Sequence, residues 1–186
     1  TSMTAMRINR YISASGYCSR RQADKLIEAG KVTINGDPAE LGAQVEPGDL
    51  VEVEGRALYL PTKDDLVYIA FNKPPGIVCT SNRDVPGNII DYINFPQRIF
   101  TVGRLDRDSR GLILLTNDGS IVNPLIHARN QQAKEYRVRV NRRITDDFLE
   151  KMSSGVAILD TVTLPASLRK ISDDEFFIEI KQGLNR

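Results

Sequence analysis

Gly103-Arg104-Leu105-Asp106-Arg107-Asp108-Ser109-Arg110-Gly111-Leu112-Ile113-Leu114-Leu115-Thr116-Asn117-Asp118-Gly119 sets the carboxylate of Asp106 among arginines, directly ahead of an unbroken apolar run. Leu112 to Leu115 has the composition of a short, wholly buried strand, so residues 104–110 read as the loop feeding it. A carboxylate on such a loop is held at the edge of a cleft, the placement of an active-site acid. Arg104, Arg107 and Arg110 are expected to favour the ionised form of Asp106 and to attract phosphate. Exposed ion pairs are common and weak, so an isolated Arg-Leu-Asp tripeptide would carry no such meaning. Here the surrounding chain adds to it.

On either side of this stretch apolar strands recur, at 66–71, 77–80, 99–102, 136–140, 156–159 and 176–180. Helices are expected at 88–93, 120–126 and 146–153, the last capped by Thr145 with Asp146 and Asp147 complementing its dipole. The pattern argues for an α+β fold: a mixed, mostly antiparallel sheet with flanking helices. No glycine-rich phosphate loop, dinucleotide fingerprint or metal constellation interrupts it. Cys18 and Cys79 have no metal-ligand spacing and are expected as reduced thiols, and the single histidine, His127, cannot build a metal cluster alone. No metal and no cofactor are therefore expected.

The N-terminal segment has its own organisation. Ile8, Tyr11 and Ile12 stand at helical spacing before Gly16. Ser19-Arg20-Arg21-Gln22 has the form of a capping box, followed by the apolar stripe Ala23, Leu26, Ile27 and a terminating Gly30. Val32 and Ile34 alternate before Asn35-Gly36, a hairpin signal, and Val51 and Val53 alternate after Pro47-Gly48-Asp49. Two helices and a small sheet result, and residues 58–65 read as a polar linker.

Charge is unevenly spread. The chain carries a formal +1 overall. Yet ahead of Asp37, Arg7, Arg10, Arg20, Arg21, Lys25 and Lys31 face only Asp24 and Glu28, a net of +4, whereas residues 37–66 carry eight acids against two bases, a net of −6. A basic N-terminal face of this kind suits a polyanion. Arg20 and Arg21 open the second helix, where backbone donors and the dipole also favour phosphate.

Four blocks, in order, resemble the signature of the pseudouridine synthases, in particular the bacterial ribosomal RNA branch typified by small subunit synthase A. They are Asn72-Lys73-Pro74-Pro75-Gly76, the Gly103 to Gly119 stretch, Lys134-Glu135-Tyr136-Arg137-Val138 and Gln182-Gly183-Leu184-Asn185-Arg186. The local wording is closest to the F type of large-subunit synthase. The resemblance implies that Asp106 is the catalytic carboxylate, that Arg104 helps displace the target base and that Tyr136 stacks on it and takes part in proton removal. Lys73 supports the site through its rigid turn and is counted, with Arg107, Arg110 and Arg186, among the RNA-contacting cations. The last block supplies the basic partner of Asp106 in that family; Arg186 is the nearest cation, and a chain stopping there reads as a truncated catalytic domain.

Residues 7–55, with Cys18-Ser19-Arg20-Arg21-Gln22-Ala23-Asp24 and Gly30-Lys31-Val32-Thr33-Ile34-Asn35-Gly36, resemble the S4-type RNA-binding domain of ribosomal protein S4. That resemblance implies docking of structured RNA, with Arg7, Arg10, Arg20, Arg21 and Lys25 as contacts. The expected layout is an RNA-binding domain at 7–60 and a synthase domain at 66–186. The expected function is isomerisation of a uridine to pseudouridine in large-subunit (23S) ribosomal RNA, by base flipping and Asp-dependent cleavage and rejoining of the glycosidic bond. The partner is a structured ribosomal RNA stem-loop, with transfer RNA as a further candidate. The protein is expected as a cytoplasmic monomer without a membrane segment. The competing class is a non-catalytic RNA-binding module in ribosome assembly, against which the intact Asp106 and Tyr136 speak.

Overall fold

The computed structural model describes residues 4–126 and 133–181, in two compact units, Thr1–Val122 and Asn123–Arg186. The first unit opens with the helices Ile8–Ala14 and Arg20–Glu28. Ser19 closes the capping box: its Oγ accepts the Gln22 N–H at 3.2 Å while the Gln22 carboxamide accepts the Ser19 N–H at 3.2 Å. Asn35 and Gly36 take φ of 52° and 85°, the two-residue turn that matches strand twist, and join Val32–Ile34 to Asp37–Pro38. The antiparallel sheet runs in the order Asp37–Pro38, Val32–Ile34, Val51–Val53, Arg56–Leu58. Ile8, Ile12, Ala23 and Ile27 pack on Val32, Val51 and Val53 to form its core. Leu58, expected to begin a linker, instead pairs with Val51 and is buried. A short 3-10 turn, Lys63–Asp65, capped by Thr62, follows.

The rest of this unit is built on a three-stranded antiparallel sheet ordered Tyr68–Lys73, Gly111–Thr116, Phe100–Val102. Ile113 and Leu115 point to a core shared with Cys79, Ile89 and Ile99. The expectation of a wholly buried strand at 112–115 is corrected here. Leu112 is 67% exposed and Leu114 41% exposed, because successive side chains alternate between faces and the core lies on one of them. Residues 77–80, expected as a strand, make only one bridge, Val78 with Asn88. The Asn88 side chain is occupied in capping the helix Ile89–Ile93, accepting the Asp91 N–H at 2.8 Å.

The second unit is an antiparallel sheet ordered Lys134–Arg139, Glu175–Ile180, Ser167–Lys170. Its core gathers Ile144, Phe176, Ile178 and Ile180, with Phe148 and Leu149 of the helix Asp146–Ser154 packed against it. Phe148 meets Phe176 edge to face at 5.6 Å. The strand Ser167–Lys170 carries too little apolar sequence to be foreseen. In place of the strand expected at 156–159 stands a short hairpin, Ala157–Ile158 with Thr161–Val162. Among the described residues no helix is long and apolar enough to cross a membrane.

Candidate active site

Asp106 sits on the loop between Phe100–Val102 and Gly111–Thr116. Three backbone and packing contacts set that loop. Leu105, adjoining Asp106, packs against the core below the sheet, and its N–H lies 3.5 Å from Cys79 Sγ. The Asp106 carbonyl accepts the Ser109 N–H at 3.1 Å, closing a turn. The Arg107 carbonyl accepts the Gly76 N–H at 2.7 Å. Gly76 takes φ of 92°, a conformation that favours glycine, so the Lys-Pro-Pro-Gly turn can reach over to the loop.

Lys73 completes this arrangement. It is fully buried, and its Nζ donates to the carbonyls of Pro74, Ile77 and Arg107, each at 2.9 Å. An ammonium has three donors, and all three are used. Its place among the RNA-contacting cations is therefore corrected: Lys73 has neither exposure nor a donor left for phosphate. A buried charge needs such partners to offset its lost hydration, and here they are the backbone of the turn and of the loop.

The side chains of the loop are left open. Arg104, Asp106, Arg107 and Arg110 are exposed. Among the described residues no ion pair within 4.0 Å joins Asp106 to Arg104, Arg107 or Arg110. The three arginines expected to favour its ionised form share its loop without pairing with it. Asp106 is held by its backbone and by Leu105, with its carboxylate unpaired among the described residues and three cations on the same loop.

Tyr136 belongs to the second unit, on the edge strand Lys134–Arg139, where it stands opposite Ile178. Its ring is 46% exposed. Its neighbours are anchored by Glu175, whose carboxylate accepts from Arg137 at 2.6 Å and pairs with Arg139 at 2.5 Å. The Arg137 hydrogen bond, reinforced by the charge of Arg139, holds the Glu175 carboxyl below its ordinary value despite the opposing effect of burial.

Arg7, Arg10, Arg20, Arg21 and Lys25 are all exposed on the first unit. Arg10, Arg20 and Arg21 line one cavity. The capping box uses the Gln22 N–H, and Arg20 and Arg21, at the first two positions of the helix, offer an anion their exposed side chains. The Gln182 to Arg186 block, including Arg186 as candidate partner of Asp106, and His127 lie outside the described residues. Sequence reasoning missed Arg98, which shares the cavity with those arginines; a lone cation between Pro96 and an apolar strand carries no recognisable signal.

Comparison with known proteins follows these elements. Residues 67–182 match the RNA pseudouridylate synthase family and residues 6–51 the S4 domain. The chain is 51% identical over 183 residues to a dual-specificity RNA pseudouridine synthase RluF of Salmonella typhi, covering 98% of this chain and 63% of that protein. It is 34% identical over 189 residues to a ribosomal large subunit pseudouridine synthase B of Bacillus subtilis, covering 97% of this chain and 76% of that one. A crystal structure of a pseudouridylate synthase superposes with a TM-score of 0.59 at 28% identity, over 97% of this chain and 79% of the other. The chain thus spans just under two thirds of the length of the RluF relatives it matches.

Proposed function

Because the chain belongs to the RNA pseudouridylate synthase family, with an S4 domain ahead of the family's core, we propose that it isomerises uridine to pseudouridine in ribosomal RNA. The observation that carries this reading is Asp106: an exposed carboxylate without a partner among the described residues, on a loop fixed from beneath by Lys73 and Leu105. The reaction breaks the bond from the sugar C1′ to N1 of uracil, forms one from C1′ to C5, and moves the C5 proton to N1. Atoms balance within the substrate, and neither oxidant nor reductant is consumed. A stacked uracil must first leave the helix, and a cation that fills its vacancy lowers that cost. Arg104 is assigned this task. Asp106 supplies the carboxylate that assists cleavage and rejoining at C1′, and Tyr136 the ring on which the base rests.

The S4 segment, within a domain bounded at 7–60, delivers RNA to the synthase domain at 66–186. The target we favour is large-subunit RNA, in the branch that includes the small subunit synthase A type. The dual-specificity name of the RluF relative supports more than one RNA target, and the second we propose is transfer RNA. We place the protein in the cytoplasm as a monomer.

The deciding experiment measures tritium release from ribosomal RNA carrying uridine labelled at C5, with the unaltered chain and with Asp106→Asn. The expected result is release by the former, none by the latter, and equal RNA binding by both. RNA binding by the unaltered chain without tritium release overturns the reading in favour of a non-catalytic RNA-binding module.

A further inference from the structure

A cavity of about 640 Å³ opens within the first unit, walled on one side by the S4 helices and on the other by the sheet that precedes the Asp106 loop. Its charged lining is Arg10, Arg20, Arg21 and Arg98 against Asp118 alone. The carboxylate of Asp118 is already engaged, by the Tyr68 hydroxyl at 2.7 Å and by the Ser120 hydroxyl and N–H at 2.6 and 2.9 Å. None of the four arginines forms an ion pair among the described residues. Arg98 is half-buried. Its Nη1 makes a long hydrogen bond, 3.4 Å, to the Ser13 carbonyl, and its guanidinium lies 6.0 Å from the centre of the Phe100 ring. Burial pushes its ionisation below the ordinary value.

We propose that this cavity is a second RNA site, remote in its lining from Asp106, which holds a single-stranded nucleotide step of the substrate. A cation withdrawn from water without a carboxylate is costly unless an anion reaches it, and an RNA phosphate bridging Arg98 to Arg10 or Arg21 satisfies that need. Phe100, behind Arg98, supplies a ring face for the attached base. Aromatic faces and guanidinium planes are sequence-tolerant stacking platforms. The volume falls within the range of small-ligand pockets, roughly 300–1,000 Å³, and accommodates one nucleotide. Both domains contribute residues, so one RNA segment is gripped jointly by the S4 helices and the synthase sheet. The site rests on the RNA-modifying reading above and adds to it a second anchor that selects RNAs with an unpaired nucleotide outside the target uridine.

The test is fluorescence anisotropy of a labelled twelve-residue oligouridylate on the full chain and on Arg10→Gln, Arg98→Gln, Arg98→Lys and Phe100→Leu, with melting curves for each. Loss of one phosphate contact is expected to reduce the slope of log affinity against log salt by about 0.7 in magnitude in Arg10→Gln and Arg98→Gln, with Arg98→Lys recovering the slope. Phe100→Leu is expected to weaken binding by about fivefold or more through lost stacking with the salt slope unchanged. Arg10 is exposed and its side chain makes no hydrogen bond or ion pair among the described residues, so its variant tests the site even if Arg98→Gln melts early. Unchanged affinity and slope in Arg10→Gln and Phe100→Leu overturn the proposal. So does full displacement of the oligouridylate by inorganic pyrophosphate, which marks a simple anion site, or by polyglutamate, which marks a site for acidic protein. Absence of tritium release with these binding effects intact counts against the proposed reaction and leaves the RNA site standing.

Discussion

The Lys73 ammonium donates to the Arg107 carbonyl at 2.9 Å, joining the Lys-Pro-Pro-Gly turn to the residue that follows Asp106. The two lie 34 positions apart in sequence, and the bond bridges two blocks that the chain writes separately.

Lys73→Met keeps the length of the side chain and removes the charge, leaving the carbonyls of Pro74, Ile77 and Arg107 without this donor. Each unsatisfied buried acceptor costs about 1–3 kcal/mol, and a total of about 3 kcal/mol is expected, because the Gly76 N–H still serves the Arg107 carbonyl. Chemical denaturation followed by tritium release checks this: stability and turnover are both expected to fall, while RNA affinity stays close to that of the parent. An unaltered denaturation midpoint removes the structural role.

Tyr136→Phe is expected to lower turnover more than affinity. The ring is 46% exposed, and among the described residues its hydroxyl has no hydrogen-bond partner, so the substitution costs the fold little while the stacking face remains. Single-turnover rates and binding constants measured side by side separate the two effects. An equal loss in both points to packing instead of chemistry.

Removing Arg20 and Arg21 together, as Gln, is expected to weaken binding to RNAs of any sequence. The slope of log affinity against log salt should fall in magnitude by roughly one to two units, at about 0.7–0.9 per phosphate. Titrations between low and moderate salt give the slope directly. An unchanged value means that both side chains face solvent in the complex.

Glu175 sets an acid limit on the second unit. Its ionisation is held below the ordinary carboxylate value of 4.5, first by the Arg137 hydrogen bond and then by Arg139. A depressed folded-state value means that the unfolded chain takes up the proton first. The stabilisation is therefore present above about 4.5 and is lost as pH falls through the lower folded-state value. Melting temperature is expected to decline over that acid window in the parent and to change less in Glu175→Gln. Parallel declines in both proteins would remove Glu175 as the cause.

Much of the architecture was legible where a local rule acts alone. Asn35-Gly36 specifies its turn because both residues tolerate positive φ, and Ser19 with Gln22 closes its own helix end. The strands at 100–102, 111–116 and 175–180 followed from apolar patterning. What escaped depends on partners distant in sequence. Leu112 and Leu114 read as buried because an apolar run does not say which faces of a sheet are covered. Lys73 read as a phosphate contact because nothing in its neighbourhood announces three carbonyls waiting below. Arg98 carried no signal, since its significance comes from the S4 helices folded opposite it. Arg104, Arg107 and Arg110 form no ion pair with Asp106 among the described residues for a similar reason: neighbours in sequence on a loop need not meet in space.

The Arg107 carbonyl is grasped by Gly76 and Lys73 through the main chain, so the loop owes its shape to atoms common to every amino acid. Among the described residues its outward side chains at 107 and 110, which unlike Arg104 carry no assigned step of the reaction, are correspondingly free of structural duty. Descendants of such a scaffold can exchange those residues to suit a new RNA without relearning how to fold, and drift in target choice can proceed while the carboxylate stays in place.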